Sequence, residues 1–171
     1  MVVVSCLVVL LAAGCSTTSV ATKTTLAPKP AGAEPSPIAT QVCHEAVKDI
    51  ASTLGVTARV STPTWTDHLY SCAYRYPGGT MVLSVKELSS WSETDAYYQS
   101  LADQLGKTRT LQGLGQGAFQ TTDGSMVVRK DWKVLLVDVK GLPPQFGVPP
   151  TSSGDVAVTV SDVILGCWAG D

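Results

Sequence analysis

The chain has 171 residues, 44% hydrophobic and 15% charged, and its 12 Lys+Arg against 14 Asp+Glu leave a formal charge of −2. That balance excludes the basic stripe a nucleic-acid surface requires. A mean hydropathy of +0.19 excludes a chain disordered throughout, and the length suits one domain with appendages.

Residues 2–14 read VVVSCLVVLLAAG. The run is shorter than the ~20 residues a membrane span needs and has the length of a signal-peptide core. It ends in Leu11-Ala12-Ala13-Gly14-Cys15, followed by Ser16 and Thr17. This motif resembles the bacterial lipobox, in which small residues precede a cysteine. The resemblance implies a lipoprotein signal peptide over 1–14. It also implies that the Cys15 thiol takes a diacylglycerol and becomes the mature N-terminus. From Cys15 to about Gln41 the chain is rich in Thr, Ala, Pro and Ser, with prolines at Pro28, Pro30, Pro35 and Pro37. No period survives there, so 15–41 reads as a lipidated cysteine plus an extended tether, reaching roughly 3 Å per residue.

The remaining segment, 42–171, reads as a single α+β domain. Its first element is a helix capped by Thr40. Val42, Cys43, Ala46, Val47, Ile50, Ala51 and Leu54 recur at helical spacing, and Gly55 closes it. Leu69 to Tyr76 and Met81 to Val85 alternate as a hairpin around Pro77-Gly78-Gly79, with Cys72, Tyr74 and Tyr76 on one face. Ser92 caps a second helix over 93–105, with Tyr97, Tyr98, Leu101 and Leu105 inward and Gly106 at its end. Three strands follow, Ala118 to Thr122, Met126 to Lys130 and Val134 to Val139, the first pair joined by the tight-turn signal Asp123-Gly124. After an aperiodic loop over 141–154, a last helix starts near Ser153 or Asp155. It carries Val156, Val160, Val163, Ile164, Cys167 and Trp168 on one stripe. The order α-ββ-α-βββ-α predicts one antiparallel sheet of about five strands with helices packed on it.

With Cys6 in the signal segment and Cys15 lipidated, Cys43, Cys72 and Cys167 remain. An exported domain can hold a disulfide. Cys43–Cys72 is the favoured pair, both residues lying on inward faces. Cys43–Cys167 is the rival, and Cys167 is otherwise expected as a buried thiol. The run from Cys43 to Leu54-Gly55, then Ser71-Cys72-Ala73-Tyr74, then Gly113-Leu114-Gly115-Gln116-Gly117-Ala118-Phe119, resembles actinobacterial secreted lipoproteins carrying a domain of unknown function. That resemblance implies a fold and a compartment, and no reaction.

Chemistry-bearing patterns are sparse. The spaced glycines Gly113, Gly115 and Gly117 lead into a strand rather than a helix, which argues against a dinucleotide fingerprint. His44 and His68 lack the convergent partners of a zinc site, so neither a metal nor a cofactor is expected. Glu87, Glu93 and Asp95 are acids near one sheet edge, read as helix-start residues before a glycosidase pair. Trp65, Trp91 and Trp132 fall in loops or turns and are the candidate binding surface. The expected protein is a monomeric, non-enzymatic lipoprotein on the extracytoplasmic face of the cell membrane, anchored by Cys15. It would bind an envelope protein, glycan or lipid. A carrier for a small apolar ligand and a cell-wall hydrolase are the alternatives.

Overall fold

The computed structural model describes residues 27–168. The expected signal segment 1–14, the lipidated Cys15 and the tether as far as residue 26 lie outside the described residues.

Ser36 caps a short helix, α1 (Pro37–Gln41), its hydroxyl accepting from the Ala39 amide at 3.3 Å. Pro37 sits in the first turn, where its missing N–H costs nothing. A turn separates α1 from α2 (Ala46–Leu54), which Gly55 ends in the left-handed region at φ 66°. The helix predicted from Val42, with Thr40 as its cap, therefore begins only at Ala46, and α1 is an additional helix before it. Thr40 lies inside α1 and its hydroxyl donates back to the Pro37 carbonyl at 2.9 Å. Val42 and Cys43 are buried in the intervening turn.

Two short strands, β1 (Arg59–Val60) and β2 (Thr64–Thr66), precede the expected hairpin of β3 (Leu69–Tyr76) and β4 (Gly79–Glu87). A β-carbon on Gly79 would fall 2.5 Å from the Gly141 carbonyl oxygen, so only glycine allows that approach. Helix α3 (Trp91–Leu105) follows, capped by Ser90 rather than Ser92: the Ser90 hydroxyl accepts from the Glu93 amide. Four strands come next: β5 (Lys107–Leu111), β6 (Gly117–Thr121), β7 (Met126–Lys130) and β8 (Lys133–Gly141). The predicted aperiodic loop contains a small ladder of β9 (Gln145–Phe146) and β10 (Thr151–Ser152). It ends in α4 (Ser153–Cys167), where the Ser152 hydroxyl accepts from the Asp155 amide.

The domain is α+β, with an eight-stranded antiparallel sheet where about five strands were expected. Its order is β1-β3-β4-β8-β7-β6-β5, and β2 pairs with the outer side of β3 beside β1. The unexpected strands are either two or three residues long or, in β5, polar except for Leu111, so none carries an apolar alternation.

Strand alternation sorts the core into two layers. Tyr70, Cys72, Tyr74, Met81, Leu83, Val85, Leu135 and Val137 pack under α2 and α4. On the other face Phe119, Val127 and Val134 meet Tyr98, Leu101 and Ala102 of α3. The Tyr98 and Phe119 rings cross edge to face with centroids 5.0 Å apart. A disulfide joins Cys43 to Cys72 with Cα atoms 6.0 Å apart, tying the turn before α2 to β3. Beside it the Tyr74 hydroxyl donates to the Val42 carbonyl at 2.5 Å. Burial pushes the Tyr74 phenol's pKa up, with Tyr76 adding to the effect, and burial raises that of Tyr76 to about 12.

Cys167 departs from its expected place. It is exposed at the last position of α4, while Trp168, just past the helix end, is buried at 3% exposure. Trp168, expected on the inward stripe, joins the core together with Ile164, while Cys167 between them in sequence faces out.

Candidate functional site

Segment 31–36, expected to be part of the tether, runs across one end of the sheet as a strap. The Ala31 amide donates to the Leu88 carbonyl at 3.1 Å. The Trp65 indole N–H donates to the Ala33 carbonyl at 2.8 Å. His68 Nδ1 lies 3.0 Å from the Gly32 carbonyl. A carbonyl only accepts, so that ring nitrogen carries the proton. Ser36 donates twice to the Glu87 carboxylate, from its amide at 3.3 Å and from its hydroxyl. Glu87 is 4% exposed and Lys133 is 2% exposed, and the two are register partners across β4 and β8. A polar cavity of about 230 Å³ lies here, lined by Lys29, Glu34, Ser36, Pro37, Glu87 and Lys133.

The three candidate tryptophans belong to the same end, because the β2–β3 turn, the end of β4 and the β7–β8 turn all meet there. Only Trp91, at the first position of α3, is largely exposed, at 43%. Trp65 is half-buried, held by the strap and set edge-on to His68 with centroids 5.7 Å apart. Trp132 is half-buried and its indole N–H is sequestered without a hydrogen-bond partner. Two of the three therefore serve packing at least as much as they face solvent.

The remaining chemical candidates are engaged separately. Glu93 accepts from the Ser89 amide at 2.9 Å, completing the α3 start. Asp95 pairs with Arg129. Glu87 is taken by Ser36, so the three acids of the sheet edge form no coupled pair. His44 Nε2 lies 3.1 Å from the Tyr70 hydroxyl, far in the fold from His68 under the strap. Tyr70 has a raised pKa through burial and the nearby Glu45 carboxylate. Among the described residues no group of three His, Cys, Asp or Glu side chains is placed to hold a metal. The glycine run bends with Gly113 at φ 84° and Gly115 at φ 57°, then opens β6 at Gly117.

A second feature carries no signal in the local sequence. Helix α3 packs chiefly on β6, β7 and β8. The same face of β1 to β4 has no helix over it among the described residues. Register places Ser71 opposite Ser84, Ala73 opposite Val82, Thr64 opposite Ser71 and Arg59 opposite Arg75 on this open face. Both arginines are exposed. Like charges directly opposite each other on neighbouring strands repel. The open face meets α3 where the Lys86 ammonium lies 5.8 Å from the centre of the Tyr97 ring. Lys86 also donates to the Asp67 carbonyl.

The molecule so described is an antiparallel α+β sheet domain, clad by helices on one face and half-clad on the other. Comparison with protein families, curated proteins and solved structures finds no match.

Proposed function

We propose that this chain is an extracytoplasmic lipoprotein, held at a membrane through Cys15, whose domain acts as a non-enzymatic binding module for an envelope component. The observation that carries the binding role is the open half of the sheet. One helix covers β6 to β8, and the face of β3 and β4 beside it has no helix over it among the described residues, with Ser71 half-buried there and Arg75 exposed. The anchor rests on the Leu11-to-Cys15 motif. The Cys43–Cys72 bridge supports export, because such bridges persist in oxidising compartments. No helix among the described residues is long and apolar enough to cross a membrane, so attachment in this reading falls to the lipid. The separate engagement of Glu87, Glu93 and Asp95 favours binding over hydrolysis.

A photo-crosslinking residue at Ser71 tests the surface in intact membranes. It is expected to capture an envelope component that the same residue at Asp103, on the exposed side of α3, does not. Equal capture at both positions, or none at Ser71, overturns the binding reading. In the same cells Cys15→Ala should move the chain to the soluble fraction, and unchanged partition overturns the anchor.

A further inference from the structure

We infer that the open sheet face holds an extended anionic polysaccharide, with Arg59 and Arg75 as the clamp for its acidic groups. The inference deepens the binding-module reading above and rests on it.

The argument starts from an electrostatic cost. Arg59 and Arg75 are direct register partners on β1 and β3, so their guanidinium stems leave the sheet side by side. Like charges so placed destabilise the strand pair. Arg129, by contrast, pairs with Asp95 on the α3 side of the molecule. Two exposed guanidinium groups side by side offer forked N–H donors to one anionic group, the geometry that suits a carboxylate or a phosphate. Chain charge as a whole is −2, so this pair is a local positive feature on an acidic molecule.

The lining selects among anionic partners. From the arginine pair, with Thr80 beside it, toward Lys86 the face presents Ala73, Val82 and the Asp138 carboxylate, then Ser71 next to a buried Ser84, then Leu69, with Thr64 alongside. Side chains on one face of a strand repeat every two residues, so these rows stretch over roughly 20 Å. The hydroxyls of Thr64, Ser71 and Thr80 match a chain that carries hydroxyls along its length. An acidic peptide would need apolar pockets for its side chains or an open strand edge for its backbone, and this is a face lined by small residues. A lipid bilayer would draw an apolar wedge into the interface. The exposed large hydrophobic residues, Trp91 and Val148, lie at the start of α3 and in the β9–β10 turn, both off this face. An extended glycan bearing carboxylate or phosphate groups is the partner that uses both the cations and the hydroxyls.

The experiment measures binding of the lipid-free Cys15→Ala chain, without detergent, to polygalacturonate oligomers. Methyl-esterified oligomers of the same length, polyglutamate and phosphatidylglycerol vesicles are the comparison probes. Polygalacturonate is expected to bind, more weakly as salt rises. Its methyl ester, polyglutamate and vesicles should bind at least about tenfold more weakly. Arg59→Gln and Arg75→Gln should each weaken polygalacturonate binding about tenfold or more, the size of a lost charge-assisted contact. Arg109→Gln, on the far edge of the sheet, should leave it unchanged. Each arginine variant should melt at or slightly above wild type, because it relieves a like-charge pair, and this melting shows that a binding loss is not a loss of fold. Absence of polygalacturonate binding overturns the inference, as does binding indifferent to both arginine variants or equal binding of polyglutamate or vesicles. If Ser71 crosslinking in membranes persists after such a result, the binding module stands and only the polysaccharide is wrong.

Discussion

Cys43 and Cys72 show how far a single residue's position can be read from period alone. Cys72 alternates with Tyr70 and Tyr74 on β3, which places it inward, and the bridge forms there. Cys167 obeyed the same logic on a helical stripe with Val160 and Ile164. The stripe holds through Ile164 and again at Trp168, and only Cys167, the last residue of the helix, turns outward. Arg59 and Arg75 had no period to betray them, since β1 is two residues long and only register joins it to β3. The bridge closes a loop of sequence separation 29, so Cys43→Ser or Cys72→Ser should cost about 2–4 kcal/mol in the chain-entropy account. Denaturant unfolding under non-reducing conditions measures this, and an unchanged midpoint in both variants refutes it. Asp123 offers a pH-dependent counterpart at the strong turn signal. Partial burial opposes its charge, but hydrogen bonds from the Thr121 hydroxyl and from Ser125, with Lys140 nearby, outweigh that and hold its pKa below the usual carboxylate range. A depressed folded pKa contributes stability that is present above the unfolded value of about 3.9 and lost as pH falls through the folded one. Asp123→Asn should therefore melt below wild type at neutral pH, and the two curves should converge in acid. A gap that persists or widens below pH 3 refutes the sign.

At the scale of elements, the strongly periodic segments were legible and the tertiary ones were not. Strands β3 and β7 lie where alternation put them, and α4 begins at a predicted position. The strap was hidden because its partners are distant. A Pro-rich stretch without period reads as tether, yet its backbone and Ser36 are claimed by Leu88, Trp65, His68 and Glu87. Helix α1 was missed with it, since five residues leave almost no stripe. Packing of the strap has an energetic consequence. Glu87 is buried, and removing Ser36 takes two hydrogen bonds from its carboxylate. A buried acceptor left unsatisfied costs about 1–3 kcal/mol, and more when charged. A chain beginning at residue 39 should accordingly melt several degrees below one beginning at residue 27. Equal melting of the two lengths in a calorimeter would return 31–38 to the tether.

For the whole molecule the question is how so broad a sheet avoids pairing with itself. An antiparallel sheet that does not close has two edges, each a row of unpaired backbone groups that can template a second copy. On one side the edge is made of β1 and β2, two and three residues long, too short to recruit a stable partner strand. On the other it is β5, five residues reading Lys-Thr-Arg-Thr-Leu with four exposed. Its register against β6 shifts between Lys107 and Arg109, which breaks the regular edge. Arg109 is further tied to the Gln120 side chain at 2.9 Å. Charge, length and irregularity together argue for a monomer, with the open face rather than an edge left for a partner. The Cys15→Ala chain, free of lipid, should sediment as a monomer across the accessible concentration range. Replacing both Lys107 and Arg109 with Val removes the two charges and raises strand propensity on the edge, so the double variant should self-associate with rising concentration while keeping the wild-type fold. Dimerisation of the Cys15→Ala chain itself, or a double variant that stays monomeric at every concentration tested, would show that the charged edge is not what keeps copies apart.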